Sequence, residues 1–183
     1  MNAVISVFCL VLLTIAPMAA GETSLTSKAT WPAKDYVKVI GYRFRLPTDD
    51  AKGPVPSGFS LLNEAGLDTK QLATLTVKSA ELTPDQVTKL VKATFSATHR
   101  TEPAACYDPH HIFVFYDKDG AVTNAIEICF SCTGVAAIPA TKKDQWYKHD
   151  FVALAYLADE LGLWLENRTA RAYDGLQKER EKQ

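Results

Sequence analysis

Six side chains between residues 106 and 132 are of kinds that do chemistry: Cys106, His110, His111, Glu127, Cys129 and Cys132. The stretch CYDPHHIFVFYDKDGAVTNAIEICFSC holds three of the chain's four cysteines and two of its four histidines. Three chemistries are open to such a set. Two of the cysteines can close a structural disulfide. Cys129-x-x-Cys132 can also supply two thiolates which, with Cys106 and one of His110 or His111, complete a Cys₃His tetrahedron suited to zinc or, with soft ligands, copper(I). The third is thiol chemistry, with Cys129-x-x-Cys132 as a redox pair, or Cys129 as nucleophile, His110 as base and Glu127 orienting it. No motif in the chain selects a reaction among them.

What positions these residues is a hairpin. Asp117-Lys118-Asp119-Gly120 is a turn cluster in which Gly120 can take the positive φ of a tight turn. A turn on Asp119-Gly120 sets His110 opposite Cys129, and a turn centred on Lys118-Asp119 sets His110 opposite Glu127. Either way, alternation puts His111, Phe113, Phe115, Val122, Asn124, Ile126, Ile128 and Phe130 on one face, and His110, Ile112, Val114, Tyr116, Glu127 and Cys129 on the other. A three- or five-residue loop would shift one strand by one residue and break the grouping.

In either register Cys106 falls near the hairpin base, so the geometry allows Cys106–Cys132 or Cys106–Cys129, a link worth about 2–4 kcal/mol. The metal reading needs a turn at Phe130-Ser131, because residues three apart on a flat strand face opposite ways. Redox Cys-x-x-Cys pairs usually begin a helix, whereas this one closes a strand. Taken singly, His111 reads as a hydrogen-bonded core residue and His110 as a solvated one. Glu127 reads as an outward group on a half-buried strand, so Glu127→Ala is expected to change stability little. His99 and His149 read as surface residues, and Trp146, Tyr147, Phe151 and Trp164 as core.

Around the hairpin the chain supplies Tyr36–Leu46 as a strand, with Gly41 marking a bulge or close backbone approach. Residues 59–67 are ambiguous and fit one helical turn closed by Gly66, and residues 72–80 alternate as a second strand. Thr83-Pro84-Asp85-Gln86 is a capping box with proline at the first helical position. It opens a helix that buries Val87, Leu90, Val91 and Phe95. After Cys132, residues 133–140 read as a small-residue loop, and Thr141-Lys142-Lys143-Asp144 as a second capping box. That second helix buries Tyr147, Phe151, Leu154, Ala158 and Leu161 and ends at Gly162. Residues 165–183 read as a charged, frayed helical tail with too few apolar residues to dock tightly. The order predicts an α+β fold, an antiparallel sheet of about four strands with two main helices packed on one face and the other face partly open.

Residues 1–20 carry no charged side chain and contain an apolar run followed by Pro17 and small residues, the layout of a secretory signal peptide, though without a basic residue before the run. The expected organisation is therefore signal 1–20, one domain over 21–164, and the tail. Such a protein would be exported, periplasmic or extracellular, where cysteines pair. No later apolar run approaches the about 20 residues of a membrane span. With 20 basic and 21 acidic residues spread through the chain, no basic face points to a nucleic-acid partner.

The pattern Cys106-Tyr107-x-Pro109-x-His111, then Phe115-Tyr116-Asp117, then Ile126-Glu127-Ile128-Cys129-Phe130-x-Cys132 resembles a family of small, uncharacterised exported bacterial proteins, over roughly residues 72–164. The resemblance implies export and that Cys106, His111, Glu127, Cys129 and Cys132 act as a set. It implies no activity.

Overall fold

A computed structural model describes residue 31 and residues 36–46, 49, 58–97, 107–140, 148–165 and 169–182. The signal-peptide expectation, Cys106, His99, Trp146, Tyr147 and the Thr141–Asp144 capping box all lie outside the described residues.

The sheet has five antiparallel strands. β1 (Lys38–Phe44) lies between β4 (Thr76–Glu81) and β5 (His111–Tyr116), and β6 (Val122–Cys129) and β7 (Gly134–Ile138) follow, in the order β4-β1-β5-β6-β7. β7 replaces the loop expected over residues 133–140. Its small residues Gly134, Ala136 and Ala137 carry little strand propensity, and pairing to β6 from Cys129↔Gly134 to Ala125↔Ile138 makes the strand.

One face of the sheet packs on three helices. α2 (Pro84–Phe95) starts at the predicted capping box: Gln86 N–H donates to Thr83 Oγ1, and Thr83 N–H to Gln86 Oε1. α3 (Phe151–Glu160) buries Phe151, Leu154 and Ala158 as expected, with Asp150 as its N-cap. It ends through Gly162 at φ 68°, where Leu163 N–H reaches back to the Ala158 carbonyl. α4 (Ala170–Arg180) is the predicted tail, and it docks more firmly than its composition suggests. Tyr173 is buried and donates its hydroxyl to the Phe130 carbonyl at 3.2 Å, while Ala170 N–H bonds Asp159 Oδ2 at 2.7 Å. Val39, Phe113, Phe115, Ile126 and Ile128 from the strands join these helices in the larger core. Gly41 is a close approach, since a Cβ there would lie 2.8 Å from Leu163 Cδ1 and 2.9 Å from the Phe113 ring.

The opposite face is covered, not open. β2 (Leu62–Asn63) and β3 (Gly66–Leu67) form a short hairpin where one helical turn was expected, with Gly66 at φ 118°. α1 (Thr69–Leu75) occupies the first half of the strand expected over residues 72–80, because Asp68 caps it through Gln71 N–H and one face of it buries Leu72. These elements close a second apolar cluster with Phe44, Leu46, Leu61, Ile112, Val114 and Ala125. The fold is thus α+β with three layers: helices, sheet, and a small layer over residues 58–75. Because both faces are buried, the strands of the β5–β6 hairpin look apolar throughout.

The hairpin register sets His111 opposite Ile128 and Ile112 opposite Glu127, which continues to His110 opposite Cys129. The loop is wider than two residues: Asp117 N–H bonds the Ala121 carbonyl, and Asp117 Oδ1 accepts from the amides of Asp119 and Ala121 at 2.9 Å each. Gly120 takes φ 80°. A register shift between Phe115 and Tyr116 compensates for the extra residue, so the faces survive from Phe115 inward. Val122, on the loop side of the shift, moves to the small-layer cluster.

Candidate functional site

The sheet divides the described residues of the set. His111 points to the helices and Glu127 to the small layer, since the two sit on opposite sides of the β5–β6 pleat.

His111 is buried, and its Nε2–H donates to the carbonyls of Leu163 and Trp164 at 3.2 Å each. Carbonyls can only accept, so this nitrogen carries the proton. Burial, followed by the nearby Arg43 charge, lowers its pKa to about 3. The imidazole is neutral and serves as a tie to the chain leaving α3. Its ring meets Phe130 edge-on, with centroids 5.0 Å apart.

Glu127 is not the solvated residue that alternation suggests; it is 0 % exposed. Its Oε1 accepts from Leu61 N–H at 2.8 Å, and its Oε2 lies 2.6 Å from Ser60 Oγ and 3.2 Å from the Tyr107 hydroxyl. Burial pushes this carboxyl above its ordinary value, and the Ser60, Leu61 and Tyr107 donors offset that only in part. Burial, with Glu127 beside it, also raises the Tyr107 phenol.

Cys129 and Cys132 are joined by a disulfide, with Cα atoms 5.6 Å apart. Residues 130–133 turn the chain between β6 and β7 and bring the two sulfurs to one side, with Thr133 at φ 49°. The pairing is neither of those expected for Cys106. Both cysteines are buried, and Cys129 Sγ lies 3.3 Å from both Ser131 Oγ and Cys132 N–H. Tyr107 lies across the turn, its ring 2.9 Å from where a Cβ on Gly134 would stand, and Cys132 Sγ is 3.7 Å from that point. Tyr107 therefore touches both the turn and the Glu127 carboxyl.

His110 is engaged by other partners. Its Nδ1–H donates to the Asp108 carbonyl at 3.1 Å and its Nε2 lies 3.2 Å from Asp49 Oδ1. The triad of Cys129, His110 and Glu127 is not assembled: the three share a face, but Glu127 bonds Ser60, Leu61 and Tyr107, and Cys129 bonds Cys132.

No family model, curated protein or solved structure matches the chain.

Among the described residues, no group of three or more His, Cys, Asp or Glu side chains converges to hold a metal ion. The physical reason is plain for the expected zinc or copper(I) set: the sulfurs of Cys129 and Cys132 are bonded to each other, and the Nε2 of His111 is spent on carbonyls. No described helix is long and apolar enough to cross a membrane. His149, expected at the surface, is buried with Nδ1–H 2.6 Å from the Thr94 carbonyl, whereas Trp164, expected in the core, is 44 % exposed. Sequence reasoning missed Ser60 and Leu61, which join the site from far along the chain and carry no local signal. It also missed the role of Tyr107, although that residue stands in the motif beside Cys106.

Proposed function

We propose that this is an exported protein with a binding or structural role, in which Cys129–Cys132 is a lasting clamp on the β6–β7 turn. The observation that carries this reading is the setting of the disulfide: both cysteines are buried, and the bond closes a hairpin between two strands. A pair poised for exchange needs an accessible sulfur and a lowered thiol pKa, usually supplied by a helix amino terminus or a cation. The signal-like residues 1–20 and the resemblance to exported proteins support export, since a disulfide persists in an oxidising compartment. In that reading Cys106 is left as the odd thiol of the mature chain.

One observation favours a rival reading, thiol–disulfide exchange. Cys132 N–H and the exposed Ser131 hydroxyl both lie 3.3 Å from Cys129 Sγ, where they would stabilise a thiolate after reduction. Intact mass with alkylation, joined to an insulin-reduction assay, separates the two. The clamp predicts a denatured mass lower by two hydrogens, one alkylatable cysteine, and no acceleration of insulin reduction. Catalysis that disappears in Cys129→Ser would establish exchange. Three alkylatable thiols with a metal-sized excess in the native mass would establish a metal centre instead.

A further inference from the structure

The Glu127 carboxyl meets a group that can reverse its hydrogen bond. Ser60 Oγ is 2.6 Å from Glu127 Oε2, 3.1 Å from the Leu62 carbonyl, and 3.0 Å from Leu62 N–H, which donates to it. A hydroxyl has one proton to give, so it serves Glu127 or the Leu62 carbonyl, not both. With Glu127 ionised, Ser60 donates to Oε2 and the Leu62 carbonyl loses that donor. With Glu127 protonated, its own O–H donates to Ser60 Oγ, and Ser60 passes its proton to the Leu62 carbonyl. Leu61 N–H and the Tyr107 hydroxyl bond the carboxyl oxygens in both states. The neutral form therefore satisfies every partner at the junction, and it does so without placing a charge in a site closed to water.

Nothing packed around the carboxyl supplies a compensating cation among the described residues. Tyr107 is the titratable group that faces it. In the small layer Asp68 is committed to Gln71 N–H at the start of α1, and Glu64 is exposed. At the start of β5, His110 is turned to Asp49 and to the carbonyl of Asp108. β7 carries no titratable side chain.

We propose that Glu127 is a proton-operated latch between the sheet and the small layer: Ser60 to Leu75 is held most firmly while the proton is in place, and it loosens when the proton leaves. The contact is the polar tie of a layer otherwise seated by apolar packing, and it reaches α1, because Leu61 bonds Glu127 through its amide and Asp68, the cap of α1, through its carbonyl. Raising the pH would thus release one layer and leave the helix side closed.

Amide hydrogen exchange of the full chain, corrected for the intrinsic base-catalysed rate, tests this at Leu61 and Leu62. Protection of these amides is expected to fall by up to tenfold per pH unit as pH rises through the Glu127 titration. Protection of helix-side amides such as Phe113 should stay level over the same interval. In Glu127→Gln, whose amide is neutral at every pH and keeps the carbonyl acceptor with N–H donors in place of the acid O–H, the Leu61 response should be flat. A level response in the wild-type chain, or equal slopes in both chains, would overturn the latch. A second reading needs no variant: infrared titration of the wild-type chain should show a protonated-carboxyl stretch persisting above pH 4.5, the ordinary glutamate value. Its absence there would overturn the proposal.

Discussion

The two faces of the β5–β6 hairpin each bury one titratable side chain, and they satisfy it in opposite ways. On the helix side His111 gives a proton to the carbonyls of Leu163 and Trp164. On the other side Glu127 receives donors from Leu61, Ser60 and Tyr107. The difference follows from what each covering layer presents. A chain leaving a helix offers unpaired carbonyls and calls for a donor. A loop arriving at a short hairpin offers N–H and O–H groups and calls for an acceptor. The inward polar residue matches the backbone that it meets, and the sheet itself is indifferent.

The largest test of this comparison is a matched pair of truncations. Ile128→Ala, on the helix side, should cost about 2–5 kcal/mol in urea unfolding by emptying a filled site. Glu127→Ala should cost about 3 kcal/mol, because it strands several buried donors. A cost below about 1 kcal/mol for Glu127→Ala would mean that the carboxyl is solvated and that the small layer is not seated. Next in size is the clamp. Replacing Cys129 and Cys132 together with serine should cost about 2 kcal/mol, the chain-entropy value for so short a loop. No loss would mean that the turn holds without the bond.

Gly41→Ala probes the helix side alone. Its new methyl would press on Leu163 and the Phe113 ring, for a loss of about 1–2 kcal/mol seen as a lower urea midpoint. A neutral outcome would show that β1 can move away from Leu163.

The last test is the pH slope, at most about 1.4 kcal/mol per pH unit for each group. His111 has a lowered folded pKa, about 3 against 6.5, so its contribution is present above pH 6.5 and drains as pH falls toward 3. Glu127 has a raised folded pKa, so its contribution is full below pH 4.5 and is lost as pH rises through the folded value. Acidification therefore weakens one face while it strengthens the other. Glu127→Gln should lose stability on acidification more steeply than the wild-type chain, and parallel curves would separate Glu127 from the opposing slope.

Much of this was legible from residue order. The hairpin, the α2 capping box and the Gly162 stop rest on neighbours in sequence, where turn chemistry and alternation act directly; the register stays open between two alternatives until the bulge beside Phe115 fixes it. The failures share a different cause. Alternation assigns Glu127 and Ile128 to opposite faces correctly, but it cannot say that the second face is covered, because the cover comes from Phe59, Leu61, Leu67 and Leu72. β7 was hidden by alanine and glycine, whose strand character here comes from pairing with β6. The disulfide was misassigned because a flat strand keeps Cys129 and Cys132 apart, and the turn through Phe130–Thr133 removes that obstacle.

The placement of β1 has a consequence for how the molecule is made. This strand lies inside the sheet, with Lys38 against Tyr116 on one side and Ile40 against Glu81 on the other. A chain that emerges amino terminus first therefore holds this interior strand before either neighbour exists. β5, β6 and β7 can zip by adjacent turns, whereas β1 must wait for distant closure, the slow kind of contact in folding. The sheet can be completed only after most of the chain is free, an order of assembly that would serve the export proposed above.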